Sequence, residues 1–192
     1  MMTARICPLE PPYSPQVAAA LERVMPPGVA PLLLFRSLAV NERVFLRMIA
    51  GSILDRGSIT LREREIVIDR TCARCGSAYE WGVHMAFFRE HVGFTDAEVA
   101  ATCVGDVTSN VFAPREHLLL RLVDALHDNG RVEDRLWDEL RVEWTEPQLI
   151  EIVALVGFYH LISFFTNAFE LPPEPYAPPF PDTPASRTGR RG

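Results

Sequence analysis

The strongest constraint on the fold is an apolar run near the C-terminal end of the chain. Residues 148–171, QLIEIVALVGFYHLISFFTNAFEL, are apolar nearly all the way round a helix, and Pro147 suits its first turn. A helix of this kind has to lie at the centre of a core or in a subunit interface. The stretch 149–165 contains Glu151 and His160 and is shorter than a bilayer requires, so we expect no membrane partner.

The rest of the chain also has the periodicity of helices. Asn41 can cap a helix, and Thr60 with Glu63 and Thr95 with Glu98 have the spacing of capping boxes. Ser77 can cap another helix after a turn at Gly76. Alternating strand patterns and a glycine-rich phosphate loop are not evident in the sequence. The sequence therefore predicts an all-α fold.

Length and proline content predict the domain organisation. The chain has 192 residues, of which 48% are hydrophobic, enough for one domain with a proper core. Its 16 prolines cluster towards the two ends. We expect an extended N-terminal arm over residues 1–13, a single helical domain over 14–171, and a Pro-rich arm with a disordered tail over 172–192. The C-terminal arm is expected to extend over a neighbouring subunit.

Charge and cysteine content restrict the partners and the compartment. A net charge of −6 and a pI near 5.4 argue against nucleic acid or an anionic membrane as partner. The first residues contain no apolar run of signal-peptide length. Four irregularly spaced cysteines fit a reducing compartment better than a disulfide framework. We therefore expect a cytoplasmic protein.

Chemistry-bearing side chains concentrate in residues 60–91. One face of the helix after Gly76 carries a hydroxyl, a carboxylate and an imidazole among aromatic residues: Ser77, Glu80, Trp81, His84 and Phe88. Such groups are costly to bury unless they are paired. A tight turn at Gly76 would bring Glu65 back to this face. Two carboxylates and a histidine in an apolar setting predict a general acid–base site. A second interpretation stays open, with Glu65, Glu80 and His84 as solvated or helix-pairing residues around a core Trp81.

The segment Glu65–Phe88 resembles the core of the carboxymuconolactone decarboxylase/alkylhydroperoxidase D family. The peroxidase branch has a glutamate, a Cys-x-x-Cys pair twelve residues later, and a histidine four residues beyond the second cysteine. The decarboxylase-like branch has a phrase of the type S-x-YEW-x-x-H. This chain has SAYEWGVH at residues 77–84, twelve residues after Glu65. The family glutamate and histidine thus map to Glu65 and His84, and the peroxidatic pair maps to Ser77 and Glu80. The run GFYHLISFFTNAFEL also resembles the closing helix of decarboxylase-like members.

The cysteine pair of this chain departs from the peroxidase pattern. Cys72 and Cys75 lie five residues too early for that register. They fall near the end of a helix, where the dipole opposes a reactive thiolate, whereas a nucleophilic cysteine needs a lowered pKa. The serine at the peroxidatic position cannot be oxidised reversibly by peroxide. Peroxidase chemistry is therefore the second hypothesis.

The resemblance implies an all-α alkylhydroperoxidase D-like helical bundle. It further implies a homo-oligomer, a trimer or hexamer, with active sites near subunit contacts and no organic cofactor. The implied reaction is decarboxylation of a small carboxylated lactone or related unsaturated acid, such as an aromatic breakdown product. His84 would donate the proton or anchor the charge, Glu65 would orient it, and Glu80 would be a second acid–base group. The pocket residues would be Ser77, Tyr79, Trp81, Phe88 and His160.

The substrate carboxylate needs a cation, and the sequence does not identify one clearly. Arg70, Arg74 and Arg89 are candidates by proximity alone. His160, together with Tyr159, can reach the pocket from the last helix, although a histidine bonded to the backbone of its own helix is the more common arrangement.

Two other functions remain open. The first is a thiol peroxidase that uses Cys72 and Cys75, and the second is a non-catalytic oligomeric protein that binds a small apolar ligand. A metal site is not expected, because the spacing of Cys72, Cys75, His84 and His91 is shorter than that of common zinc sites. His127 suggests only solvation.

Overall fold

The computed structural model describes residues 4–103 and 111–181, and throughout these ranges the regular structure is helical, without strands. The all-α prediction is confirmed. The helices are α1 Pro15–Val24, α2 Leu33–Leu38, α3 Glu42–Ala50, α4 Leu61–Arg74, α5 Ala78–Val92, α6 Asp96–Cys103, α7 Pro114–Asn129, α8 Asp134–Glu143 and α9 Glu146–Ala168, with a 3-10 turn at Ala39–Asn41.

Side-chain caps set the starts of α4 and α6 as the sequence predicts. The hydroxyl of Thr60 accepts the backbone N–H of Glu63 at 3.2 Å, and the Glu63 carboxylate accepts the N–H of Thr60 at 2.9 Å. Thr95 and Glu98 make the same reciprocal pair at the start of α6. Each pair satisfies two backbone donors that a helix start leaves free.

Helix α4 is the central element, in contact with α5, α6, α7 and α9. It is nonetheless rich in charged side chains, and these are buried together with its apolar ones. The Arg70 guanidinium is fully buried and makes two hydrogen bonds of 2.8 Å to Asp124 of α7. Glu63 accepts from Arg115 and from the Trp144 indole at 2.9 Å. Paired charges of α4 therefore fix the positions of the helices around it.

A tight turn folds α5 back along α4. Gly76 has a left-handed φ of 66°, which glycine adopts without steric cost. The N–H of Ser77 donates to the carbonyl of Cys72 at 2.9 Å and closes the turn. The Ser77 hydroxyl does not cap α5, contrary to expectation, because it hydrogen-bonds the Thr166 hydroxyl of α9 at 2.7 Å.

Helix α9 packs against α4, α5 and α8. It spans 23 residues, so by length and composition alone it could cross a bilayer, and the expectation that the run is too short for this was wrong. Its ends extend beyond the apolar stretch considered from sequence. In the apolar window, 44% of the residues are buried inside the domain, whereas Ile150 and Phe164 are mostly exposed.

Both ends of the described chain lie against the helical domain. The N–H of Arg5 donates to the carbonyl of Phe169, and that of Leu9 donates to the carbonyl of Arg36. The C-terminal segment 172–181 crosses α2 and α5, where the Glu174 carboxylate accepts the Leu33 N–H at 2.7 Å.

The same segment covers one side of α5. The Tyr79 hydroxyl donates to Glu174 at 2.5 Å, and the Phe180 ring packs on Trp81 with ring centroids 5.2 Å apart. The expected arm over a neighbouring subunit is thus, in its described part, a strap over the chain's own helices. The predicted disordered tail, residues 182–192, lies outside the described residues.

The strap passes close to Gly82, which yields a test of its packing. A Cβ added at Gly82 would lie 2.6 Å from the carbonyl oxygen of Pro178. We expect Gly82→Ala to lift residues 172–181 from α5, to speed their proteolysis, and to lower the free energy of unfolding by about 1–3 kcal/mol.

Gly51→Ala is the matched control, because a Cβ at this position meets only backbone carbonyl oxygens, at ordinary contact distances of 3.4 Å and 3.9 Å. Alanine adopts its φ of −94° without strain, so we expect unchanged or slightly higher stability, by about 0.4–1 kcal/mol. Equal proteolysis of the strap in both variants would contradict the contact.

Candidate active site

The imidazole of His84 is held at both of its ring nitrogens. Nδ1 lies 2.7 Å from a carboxylate oxygen of Glu65 on α4, and Nε2 lies 3.0 Å from the hydroxyl of Tyr159 on α9. Glu80, one turn earlier on α5, has a carboxylate oxygen 3.5 Å from Nε2. All four side chains are buried, His84 being 4% exposed. Because a carboxylate can only accept, Nδ1 carries a proton.

Burial disfavours a charged imidazole, but the negative charge and hydrogen bond of Glu65, followed by those of Glu80, outweigh it. Together they raise the pKa of His84 to about 10. His84 is therefore an imidazolium near neutral pH, with a proton on each nitrogen. Burial, and then the charges of Glu80 and Glu65, raise the pKa of the Tyr159 hydroxyl well above its usual value, so Tyr159 remains neutral.

A third carboxyl group, Asp69, lies one turn beyond Glu65 on α4. Burial and repulsion by Glu65 raise its pKa well above the usual value, against a smaller opposing effect of His84. Among the described residues, one oxygen of Asp69 and one oxygen of Glu80 are buried without a hydrogen-bond partner. Unsatisfied buried acceptors of this kind are costly and are common where a ligand or proton is to be received.

Arg64 connects this cluster to a cavity. Its guanidinium donates to the second oxygen of Glu65 at 2.8 Å and to the carbonyl of Leu54 at 2.7 Å, and it lies 5.0 Å above the Phe88 ring. It also forms part of the wall of a cavity of about 250 Å³, which the segment 54–61 and Glu151 complete. A cation at the inner wall of a cavity is suited to holding a small carboxylate.

Sequence reasoning did not find Arg64 or Asp69. The arginines that it considered are engaged elsewhere: Arg70 with Asp124, Arg74 with Asp128, and Arg89 with Asp96. A helical i, i+4 relation between Glu65 and Asp69 was available as a signal. The position of Arg64 depends on Phe88 and Leu54, which local spacing does not reveal.

Of the other predicted site residues, one lies next to His84 and the others hold α5 against neighbouring elements. Phe88 stacks near His84, with ring centroids 5.4 Å apart. Trp81 donates from its indole to the Thr102 hydroxyl at 3.1 Å. Ser77 and Tyr79 bond Thr166 and Glu174, as described above, and therefore fasten α5 to α9 and to the strap.

His160 does not join His84. Its Nδ1 donates to the carbonyl of Val156 at 2.8 Å, and its Nε2 lies 3.0 Å from Nδ1 of His127. Tyr159, which was expected to reach the pocket together with His160, is the residue of α9 that contacts His84. Consecutive helical residues point about 100° apart, so the two side chains do not face the same cluster.

The thiols are poorly suited to redox chemistry. All four cysteines are free. Burial, with repulsion by Glu80 and Asp69, raises the pKa of Cys72 well above its usual value, and burial also raises the pKa of Cys75. Both thiols are therefore protonated near neutral pH, and a protonated thiol is a poor nucleophile.

Comparison with known protein families finds a match that covers the segment of the candidate site. Residues 42–124 match the Carboxymuconolactone decarboxylase family, and this segment includes Glu65, Glu80 and His84. The predicted resemblance is confirmed there, and the match supports a decarboxylase-like or peroxidase-like function. A comparison with curated protein sequences finds no match.

Solved structures share the fold along nearly the whole chain. An uncharacterized peroxidase-related protein from Ralstonia eutropha JMP134, with an alkylhydroperoxidase AhpD core, is 19% identical with a TM-score of 0.79, over 91% of this chain and 94% of its own. A peroxidase-related protein from Silicibacter sp. TM1040 is 15% identical with a TM-score of 0.76, over 91% and 93%. The debrominase Bmp8 in complex with 2,3,4-tribromopyrrole is 16% identical with a TM-score of 0.75, over 91% and 94%. At these identities the likeness shows the fold.

The charge on His84 can be tested by nuclear magnetic resonance of 15N-histidine-labelled protein, with His84→Gln to assign the signal. We expect both ring nitrogens to stay protonated up to about pH 10. This pKa exceeds the ordinary histidine value near 6.5, so the ion pair between His84 and Glu65 stabilises the folded state. Its contribution to the free energy of unfolding is complete below pH 6.5 and is lost as the pH rises towards 10. Glu65→Gln should lower the pKa of the ring. A wild-type transition near pH 6.5 would contradict the ion pair.

Proposed function

We propose that this protein is a carboxymuconolactone decarboxylase-like enzyme that acts on a small carboxylated lactone or a related unsaturated acid. The observation that carries the proposal is the buried His84 imidazolium, held by Glu65 at one nitrogen and next to Tyr159 and Glu80 at the other. This arrangement holds a proton donor in a fixed orientation within a site shielded from water. The family match over residues 42–124 supports the same class of function.

Arg64 is the residue that we assign to substrate binding. Its guanidinium forms part of the wall of the 250 Å³ cavity and also bonds Glu65, so a carboxylate bound there would lie next to the acid–base cluster. The cavity is slightly smaller than most small-molecule sites, so it suits only a substrate of few atoms. Arginine also binds a planar carboxylate with two parallel hydrogen bonds, which would fix the orientation of the substrate.

The proposed reaction begins with cleavage of the bond between the carboxyl carbon and its neighbour. The carboxylate leaves as neutral CO₂, and the electron pair remains on the neighbouring carbon, delocalised into the unsaturated system of the substrate. A site that excludes water favours this step because a charged group becomes a neutral one. The carbon then takes a proton from His84. Because His84, Tyr159 and Glu80 do not line the cavity, the step requires that substrate binding extend the cavity to the imidazole. Solvent subsequently restores the proton on His84.

Glu65 would position His84 and keep it charged, which makes it a positioning residue in this scheme. Glu80 would assist from the other side, since its unpartnered oxygen can accept a hydrogen bond from the substrate or take up a proton. The two carboxylates therefore have different roles although they contact the same ring.

Thiol peroxidase activity is the second candidate, because structurally similar proteins are described as peroxidase-related. The buried, protonated thiols of Cys72 and Cys75 weigh against it. Peroxide consumption by the wild type and by Cys75→Ser separates the two functions. Equal consumption in both proteins removes the thiol mechanism.

The acid–base proposal is tested with a panel of unsaturated lactone carboxylic acids, following CO₂ release. We expect His84→Gln to lower kcat at least 100-fold, because proton transfer by a positioned group contributes about 10²–10⁴-fold. Arg64→Gln should mainly raise KM, because it removes the carboxylate anchor. His91→Gln, at an exposed histidine bonded to the Phe87 carbonyl, is the matched control and should leave turnover unchanged.

Two outcomes would contradict the proposal. Turnover that survives in His84→Gln would exclude His84 as the donor. Stabilisation by panel compounds without turnover, retained in Glu65→Gln and His84→Ala, would instead indicate a non-catalytic binding protein.

We further propose that the protein is a homo-oligomer. An apolar surface runs along α9 next to Trp137 of α8 and consists of Trp137, Ile150, Val153, Leu161 and Phe164. Ile150 is 71% exposed and Phe164 is 62% exposed, which is unusual for large apolar residues that share one face of a helix. A second copy of the chain is the partner that we assign to this surface.

Light scattering coupled to size-exclusion chromatography tests the assembly. We expect the double variant Ile150→Glu and Phe164→Glu to lower the molar mass of the particle, because each charge would be buried in the interface. Val40→Glu, at an exposed apolar residue outside this surface, is the control and should leave the mass unchanged. A wild-type monomer would contradict the proposal.

A further inference from the structure

A second cluster of polar side chains lies apart from the Glu65–His84 pair. Cys75 at the end of α4, His127 in the last turn of α7 and His160 in the middle of α9 place one ligand-type atom each within 4.8 Å of one another. Nδ1 of His127 is 3.8 Å from Sγ of Cys75 and 3.0 Å from Nε2 of His160. Three helices that are distant in sequence therefore meet at one sulfur and two nitrogens.

These separations fit a tetrahedral metal ion. With bonds of about 2.0–2.1 Å to nitrogen and about 2.3 Å to sulfur, tetrahedral geometry puts the ligand atoms roughly 3.3–3.6 Å apart. The two distances given above lie on either side of that range. The third, between Sγ of Cys75 and Nε2 of His160, is within 4.8 Å, so binding an ion would move the side chains by up to about an ångström. Two imidazoles and a thiolate are the donor set that zinc and related borderline ions prefer.

A hydrogen bond prepares His160 for this role. The carbonyl of Val156 accepts from Nδ1 of His160 at 2.8 Å, and because a carbonyl cannot donate, the proton of a neutral ring is on Nδ1. The lone pair is therefore on Nε2, which points to His127. Metal-bound histidines commonly hold their tautomer through such a bond to a carbonyl or carboxylate.

The backbone at Cys75 is also fixed. The side-chain amide of Asn167 donates to the carbonyl of Cys75 at 2.8 Å and joins the end of α4 to α9. All three candidate ligands are half-buried, which leaves a route for an ion to enter and a position open to water.

We propose that Cys75, His127 and His160 form a binding site for a zinc-type divalent metal ion. Binding would form one metal–sulfur and two metal–nitrogen bonds, release the thiol proton to solvent, and leave a fourth position to water. The ion would then connect α4, α7 and α9 at one point. Sequence reasoning missed the site because its members are separated by 52 and 33 residues.

The alternative is a plain hydrogen bond between two histidines, in which Nδ1 of His127 donates to Nε2 of His160. Titration with Co²⁺ distinguishes the two, because a tetrahedral cobalt–thiolate site gives visible d–d absorption and a near-ultraviolet charge-transfer band. We expect untagged, metal-stripped protein to bind one Co²⁺ per chain with both features, and Zn²⁺ to displace it.

Substitution of each candidate metal-binding residue tests where the ion binds. Cys75→Ser should abolish the charge-transfer band, and His127→Gln and His160→Gln should each weaken Co²⁺ binding at least tenfold. Cys103→Ser and His91→Gln are the control variants, because they change a free cysteine and a histidine outside the cluster. Both should bind Co²⁺ as tightly as the wild type does. His84→Gln should also bind normally, so that failure of the acid–base proposal remains distinguishable from failure of this one.

Stability provides a second measurement. Zn²⁺ should raise the melting temperature of the wild type and of both controls but not that of Cys75→Ser, which is expected to fold because serine is nearly isosteric with cysteine. No saturable Co²⁺ binding by the wild type, or unchanged binding in all three ligand variants, would overturn the proposal.

Discussion

The fold depends on the pairing of the charges that α4 carries into the core. A buried charge without a partner is strongly destabilising, so each one dictates what has to lie next to it. Arg70 requires Asp124 of α7, and Glu63 requires Arg115 and the Trp144 indole. Glu65 requires Arg64 and His84. The polar contacts of the central helix therefore specify one arrangement of the neighbouring helices. Apolar packing alone would tolerate several arrangements.

The candidate site follows from the same requirement. Glu65 is paired on one oxygen with a cation at a cavity and on the other with an imidazole inside the core. One carboxylate thus links the wall of the cavity to a buried imidazolium. The neutral Tyr159 hydroxyl lies at the far nitrogen of His84 and extends this chain of hydrogen bonds to α9.

Local sequence signals predicted the parts of this structure that depend on local contacts. The capping boxes, the turn at Gly76 and the start of α3 at Asn41 each involve residues within a few positions of one another. The turn at Gly76 also predicted that Glu65 would come back to the face of α5 that carries Glu80 and His84.

Contacts between distant helices could not be predicted in this way. The pairing of Arg70 with Asp124 depends on how α7 is rotated against α4, and the choice between Tyr159 and His160 at His84 depends on the rotation of α9. A helix that is apolar nearly all round gives little indication of its rotation, because many orientations bury similar area. The position of the strap could not be predicted for the same reason. Its composition predicts an extended segment but does not identify the helices against which it packs.

Tyr159 and His160 are consecutive residues that face two separate clusters, so α9 contributes a side chain to each of them. Because both side chains belong to one helix, a rotation of α9 about its axis would move both at once, although they point about 100° apart. The contact at His84 and the geometry around Cys75 and His127 would then change together.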